Sequence, residues 1–242
     1  MSNALLASLS PGDAAAIQPH LKSVDLEHKR ILYEAGATVD QVYFPTGAVI
    51  SLVIGLSTGE MIEAAMVGRD GVVGAASSLD GRISLSRAIV QLAGSALVCE
   101  VGPLKGAALQ SHTLLSKLIR HEQTLYAQAQ QSTACMAAHD VESRLCRWLL
   151  RARDLAGSDN LMFTQEFLAE MLGVRRTSIT VVAHTLQQAG MIRYARGKIQ
   201  ILNVEGLRDA ACECYESVKE HYAQLLGNGF PPPISTLSDI TG

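Results

Sequence analysis

The chain has 242 residues, 48% of them hydrophobic and 18% charged, enough apolar material for two packed cores. Its formal net charge of -3 excludes an indiscriminate polycation, and no apolar run approaches the ~18 to 20 residues that span a bilayer. The opening MSNALLASLSPGD lacks the basic start and long apolar stretch of a secretion signal, and the five cysteines are scattered as reduced thiols would be, so a cytoplasmic location is expected.

Residues 22–103 alternate short apolar stretches with Gly-rich turns: Arg30 to Tyr33, Gln41 to Phe44, Val49 to Ile54, Met61-Ile62, Ala88 to Leu92 and Ala96 to Cys99. Turn signals every ~8 to 12 residues predict an antiparallel sandwich or barrel, a β-rich domain of sensor size over residues 1–106. From Pro103 the period becomes helical. Leu115, Leu118, Glu122, Leu125, Ala129, Ser132 and Met136 follow a 3-4 spacing with Ile119, Tyr126 and Thr133 beside them, which predicts a long helix over 107–138. Glu122 and Ser132 interrupt its seam, so the helix suits a dimer contact with polar breaks; packing against its own barrel is the alternative. His139-Asp140 marks a break, and Leu145, Trp148, Leu149 and Ala152 then share one face of a second helix that opens a module over 139–227.

The segment TQEFLAEMLGVRRTSITVVAHTLQQAGMIRYARGKIQIL, residues 164–202, carries the most functional information. Phe167, Leu168, Met171 and Leu172 share a helical face behind Thr164, whose hydroxyl suits the cap position, and Gly173 suits the left-handed turn that ends the helix. A second helix buries Ile179, Val182, Ala183 and Leu186, leaving Arg175, Arg176, Thr177, Thr180, Val181 and His184 outward. Met191 to Tyr194 and Lys198 to Leu202 alternate as two strands around Ala195-Arg196-Gly197. Two helices across a Gly turn, followed by a basic hairpin, predict a winged helix-turn-helix that reads double-stranded DNA. Arg176 is the candidate base reader, because guanidinium donates two hydrogen bonds to guanine, and Arg175 the candidate phosphate contact. Thr164, Gln165, Ser178, Arg196 and Lys198 complete the candidate surface. Charge agrees: residues 141–203 hold nine Lys/Arg against five Asp/Glu, a basic module on an acidic body.

Cys212-Glu213-Cys214 with His221 lacks the paired spacing of a zinc site, so no metal is expected there. The stretch Asn228 to Ile234 is Pro-rich, and residues 228–242 read as a flexible tail, with docking to a protein as the rarer alternative.

The order of β-rich domain, long helix and winged helix-turn-helix, with the 164–202 segment and FPTGAVISLV…GEMIEAAMVGRDGVVGAA, resembles the Crp/Fnr family of bacterial transcription regulators over residues 20–226. The resemblance implies an α+β chain: a double-stranded β-helix of cyclic-nucleotide-binding type, jelly-roll-like, then a dimerisation helix with Leu115, Leu118, Glu122, Leu125, Ala129 and Met136. It also implies a homodimer that reads an inverted repeat through two recognition helices. The family's cAMP cassette aligns with Gly71, Val72, Gly74, Ser86, Arg87 and Ala88, and departs from it. Val72 cannot accept a hydrogen bond from ribose, and Ser86 stands where the phosphate-binding Arg is expected, with Arg87 one residue late. Arg87 then either enters the pocket through a bulge, the alternative in which a cyclic nucleotide binds a divergent phosphate cassette, or sits on the surface. cAMP control is not expected, residues 1–98 hold no cysteine for an iron-sulfur cluster, and any effector or cofactor is unidentified.

Two other classes stand beside this reading. A cupin-like enzyme needs inward His ligands, and residues 30–103 contain no His. The other is a sensor acting chiefly through protein contacts, for instance with RNA polymerase.

Overall fold

The computed structural model describes residues 3–79, 81, 83–227 and 230. Helices α1 (Ala4–Ala7) and α2 (Pro11–Ile17) open the chain, each begun by a side-chain oxygen that accepts a first-turn amide, Asn3 from Leu6 and Ser10 from Asp13. Strands β1 (Lys22–Leu26), β2 (Ile31–Tyr33), β3 (Gln41–Pro45), β4 (Val49–Gly55) and β5 (Met61–Val67) follow, then α3 (Ala75–Leu79), β6 (Arg87–Leu92) and β7 (Gly94–Glu100). They pair antiparallel in two sheets, β1-β7-β3 and β2-β6-β4-β5. Leu26, Phe44 and Val98 of the first sheet share a core with Ile50, Val67 and Val90 of the second. The domain is a pair of sheets around one core and not a closed barrel: among the described residues no strand pairing joins the two.

The four-stranded sheet has a core on each face. Strand residues alternate sides, so Ile50, Ala65 and Val67 enter the inter-sheet core while Val49, Val53 and Met66 enter a second core with the C-terminal helices. That is why 49–54 is apolar at nearly every position rather than at every other one.

After β7 come α4 (Val101–Gln110), α5 (His112–Ala138), α6 (Val141–Ala156), β8 (Asn160–Met162), α7 (Gln165–Leu172), α8 (Arg176–Gln188), β9 (Ile192–Ala195), β10 (Lys198–Ile201), α9 (Val204–Ala210) and α10 (Cys214–Leu226). The long helix expected from residue 107 begins at 112, because Ser111 is extended and its hydroxyl accepts the Leu114 amide at 3.2 Å, restarting the helix there. Its 27 residues span about 40 Å. The break expected at His139-Asp140 is present: His139 is extended, and the Asp140 carboxylate caps α6 by accepting from Ser143 at 2.9 Å.

Helix α5 carries two stripes. Leu114, Leu118, His121, Leu125, Gln128, Ser132 and Cys135 are buried against the chain's own β5, α3 and α10. Leu118 and Leu125, placed in a dimer seam on sequence grounds, are therefore interior residues, 1% and 9% exposed. A second 3-4 stripe of Leu115, Ile119, Glu122, Tyr126, Ala129, Thr133 and Met136 runs along the outer side, where Ile119 and Tyr126 are 47% and 67% exposed.

The second core unites both halves of the chain. Trp148 of α6 meets Phe163 edge-on at 4.8 Å, Phe163 stacks on Phe167 at 5.7 Å, and Val49, Val53 and Met66 close the cluster from the sheet. Polar contacts cross the same boundary: Trp148 Nε1 donates to Glu63 Oε1 at 2.9 Å, and Arg151 pairs with the buried Asp70 at 2.8 Å. The tail expected over 228–242 lies, apart from Phe230, outside the described residues.

Candidate nucleic-acid interface

Helix α7 starts at Thr164, whose hydroxyl accepts the Phe167 amide at 3.2 Å, and buries Phe167, Leu168, Met171 and Leu172. Gly173 closes it at φ +60, ψ 43, the left-handed region open to glycine, and the Val174 amide returns to the Ala169 carbonyl at 2.9 Å. A buried arginine braces this turn: Arg144 donates to the Leu172 carbonyl, one of the acceptors left free at the helix end. Helix α8 then buries Ile179, Ala183 and Leu186, with Val182 half-buried. Arg175 occupies its cap position without a capping side chain; the Ser178 amide donates to the Arg175 carbonyl at 3.0 Å, and no side-chain cap covers the end expected to meet DNA.

Arg176, Thr177, Thr180, Val181 and His184 form one exposed stripe on α8, with Val181 66% exposed although apolar. Two residues of α7 hold that stripe. Glu166 Oε1 lies 2.7 Å from Arg176 Nη1, and Gln165 Oε1 accepts from the Thr180 hydroxyl at 2.7 Å. Glu166 is a neighbour of the candidate base reader that the sequence reading missed; it sits ten positions before Arg176, a distance set by the turn and not by helical period.

The wing forms as expected. Ala195 stands opposite Lys198, leaving Arg196-Gly197 as a two-residue turn with φ +50 and +76, the signs of a type I′ hairpin. Gln187 Oε1 accepts the Tyr194 amide at 2.8 Å and fixes the wing to α8, while β8 adds a third strand in the order β8-β10-β9. Thr164 lies beside Gly197, so helix start and wing tip are neighbours.

Counting charge by segment overstated the basic surface. Arg144, Arg147 and Arg151 are buried, and Arg153 pairs with Asp159 at 2.5 Å. The exposed cations of residues 141–203, Arg175, Arg176, Arg193, Arg196 and Lys198, lie at the start of α8 and on the wing. The β4–β5 hairpin borders this surface: Glu60, Met61 and Ile62 line a cavity of about 680 Å³ with Gly173, Arg175 and Ser178.

The residues aligned with a nucleotide cassette do not converge. Gly74 and Ser86 line a cavity of about 140 Å³ with Tyr33, Leu52 and Glu122, well below the roughly 300 Å³ at which ligand pockets begin. Val72 and Ala88 are core residues. The Val72 amide donates to Nε2 of the buried His121 at 3.2 Å, and Gly71 packs beside the same ring. Arg87 turns away from the cavity, its Nε 2.7 Å from Glu34 and its Nη1 2.8 Å from Met61 Sδ. Of the two orientations open to Arg87, the structure has the outward one. Cys212 and Cys214 are buried, and the donors gathered around them are Cys135 and His139, not His221.

Residues 143–210 match the Crp-like helix-turn-helix domain family. No curated protein matches the chain significantly. Among solved structures, FixK2 from Bradyrhizobium japonicum superposes with TM-score 0.68 at 16% identity, covering 79% of this chain and 98% of that one. TTHB099, a CRP-family transcriptional regulator from Thermus thermophilus, gives 0.66 at 20% identity over 78% and 96%. TTHA1359, a CRP/FNR-family transcriptional regulator from the same organism, gives 0.64 at 22% identity over 78% and 98%. Among the described residues no helix is long and apolar enough to cross a membrane.

Proposed function

We propose, for a chain that carries a Crp-like helix-turn-helix domain on a Crp/Fnr-type regulator fold, that it is a homodimeric transcription regulator reading an inverted repeat in double-stranded DNA. The observation that carries this is the unbroken exposed stripe from Arg176 to His184, on a helix whose N-terminal end is uncapped and whose flank is a basic wing. Arg176 donates to guanine, Thr177 and Thr180 meet bases or phosphate, Val181 touches a thymine methyl, and Arg175, Arg196 and Lys198 bind phosphate. The outer stripe of α5 from Leu115 to Met136 supplies the dimer seam, with Ile119 and Tyr126 as its apolar anchors. Cyclic AMP is not the effector in this reading, since Arg87 is held by Glu34 and the cavity by Gly74 and Ser86 is too small for a nucleotide. Selection of binding sequences from a random DNA pool by the purified chain tests the proposal. Enrichment of an inverted repeat with half-sites about one helical turn apart is expected. No enrichment by a folded dimer, in salt low enough for phosphate contacts to form, overturns it.

A further inference from the structure

Four metal-ligand side chains from distant parts of the chain meet where α5 ends. Cys135 lies in the last turn of α5 and His139 caps that helix; Cys212 lies between α9 and α10, and Cys214 begins α10. Their donor atoms all fall within 4.8 Å of one another, with Cys135 Sγ 3.5 Å from Cys212 Sγ and Cys214 Sγ 3.6 Å from His139 Nδ1. A tetrahedral zinc ion with Zn–S of ~2.3 Å and Zn–N of ~2.0 to 2.1 Å places its ligands about 3.5 to 3.8 Å apart. We propose that Cys135, His139, Cys212 and Cys214 form a structural site for one thiolate-bound divalent ion of the zinc class.

The surroundings fit such an ion. All three sulfurs are buried, so the ion is closed off from solvent as in a four-ligand structural site. His139 faces the sulfurs with Nδ1 while its Nε2 lies 3.2 Å from Glu213 Oε1, the arrangement in which an outer carboxylate fixes the tautomer and orientation of a ligating imidazole. Gln131 Nε2 donates to Cys214 Sγ at 3.0 Å, which favours sulfur as thiolate. Three thiolates on a dication leave one net negative charge. Arg144 and Arg147 are buried nearby and interact electrostatically with Cys135, and the Nε atom of each has no hydrogen-bond partner among the described residues. The separation of Cys135 and Cys212 sulfurs exceeds a disulfide bond of about 2.05 Å, so both are free to ligate. The site ties the end of α5 to the α9–α10 connection across the break that leads into α6, and so fixes how the helix-turn-helix hangs on the long helix.

The test uses the full chain, purified reduced, its metal content measured, then stripped with chelator and titrated with Co(II). One ion per chain is expected, with the ultraviolet thiolate-to-cobalt charge-transfer band and the intense visible bands of tetrahedral cobalt. Cys135→Ser and Cys212→Ser should abolish these bands, His139→Ala should weaken Co(II) binding at least tenfold, and Cys99→Ser should leave the spectrum unchanged. Failure of the reduced wild-type chain to give the tetrahedral thiolate spectrum overturns the proposal, and that readout requires no variant to fold. Equal binding by wild type and a folded Cys212→Ser chain overturns it as well. Neither result depends on DNA binding.

Discussion

Replacing Glu63 by Gln probes the contact between the sheet and the helical module at a buried carboxyl that bonds across it. Glu63 is buried on β5; burial raises its carboxyl from 4.5 to about 7, opposed by hydrogen bonds from Ser51 and Trp148 and by the charges of Arg147 and Arg151. Below pH 4.5 the group is protonated folded and unfolded alike. Between 4.5 and about 7 the unfolded chain releases a proton that the folded chain keeps, so stability falls across that window and stays lower above it. The interval corresponds to about 3 kcal/mol. The network accommodates both states. When Glu63 is neutral its hydroxyl donates to Ser51, which lies 2.6 Å away and itself donates to Gln91 at 2.8 Å; when it is ionised Ser51 turns to donate to Glu63. Gln copies the neutral form, accepting from Trp148 and donating to Ser51. The variant should therefore lack the fall, gaining about 3 kcal/mol on wild type between pH 4.5 and 7, or roughly 6 to 12 °C in midpoint for a chain of this size. Trp148 is the only tryptophan and bonds directly to Glu63, so its emission follows both unfolding and the titration itself. Thermal melts at fixed protein concentration from pH 4.5 to 8 give the answer. Parallel stability curves for the two proteins, or a wild-type emission that is flat through pH 7, would refute the argument.

Arg176→Ala should cost roughly 1 to 3 kcal/mol at one base position in each half-site, read by binding to operators mutated one position at a time; equal loss on specific and random DNA would remove Arg176 as a base reader. Glu166→Gln frees Arg176 from an exposed ion pair worth about 0.2 to 1 kcal/mol and removes an anion facing phosphate, so affinity should rise about 1.5- to 5-fold in low salt. A fall would show that Glu166 positions the arginine for reading. The double substitution Ile119→Asp with Tyr126→Asp should give a monomer by sedimentation equilibrium with helix content intact, since both side chains face solvent within one chain. A persistent dimer would move the seam elsewhere.

The helix-turn-helix and its wing were legible because each of their parts is local: a capping threonine, a 3-4 apolar spacing, a left-handed glycine and a two-residue turn are all read within a few positions. Helix α5 was legible as a helix but not in its orientation. Two overlapping 3-4 stripes occupy one sequence, and nothing in the spacing tells Leu118, which enters the chain's own core, from Ile119, which faces out. Charge counting failed for a related reason, since Arg144, Arg147 and Arg151 carry the same letter as Arg176 and differ only in being buried. Arg87 could not be oriented either, because Glu34 lies 53 positions away across a strand pairing. The cluster at Cys135 escaped by sheer separation: Cys135 and Cys212 are 77 residues apart, and each alone looks like a small buried side chain.

The core shared by Val49, Val53, Met66, Trp148 and Phe167 ignores the boundary that the order of elements suggests. Cutting the chain near residue 140 would divide that core and leave Trp148, Phe163 and Phe167 without their apolar cover from the sheet, and Glu63 and Asp70 without their partners from α6. The segment that matches the Crp-like domain, residues 143–210, thus does not close its own core, and a truncated chain should aggregate through the uncovered aromatic face.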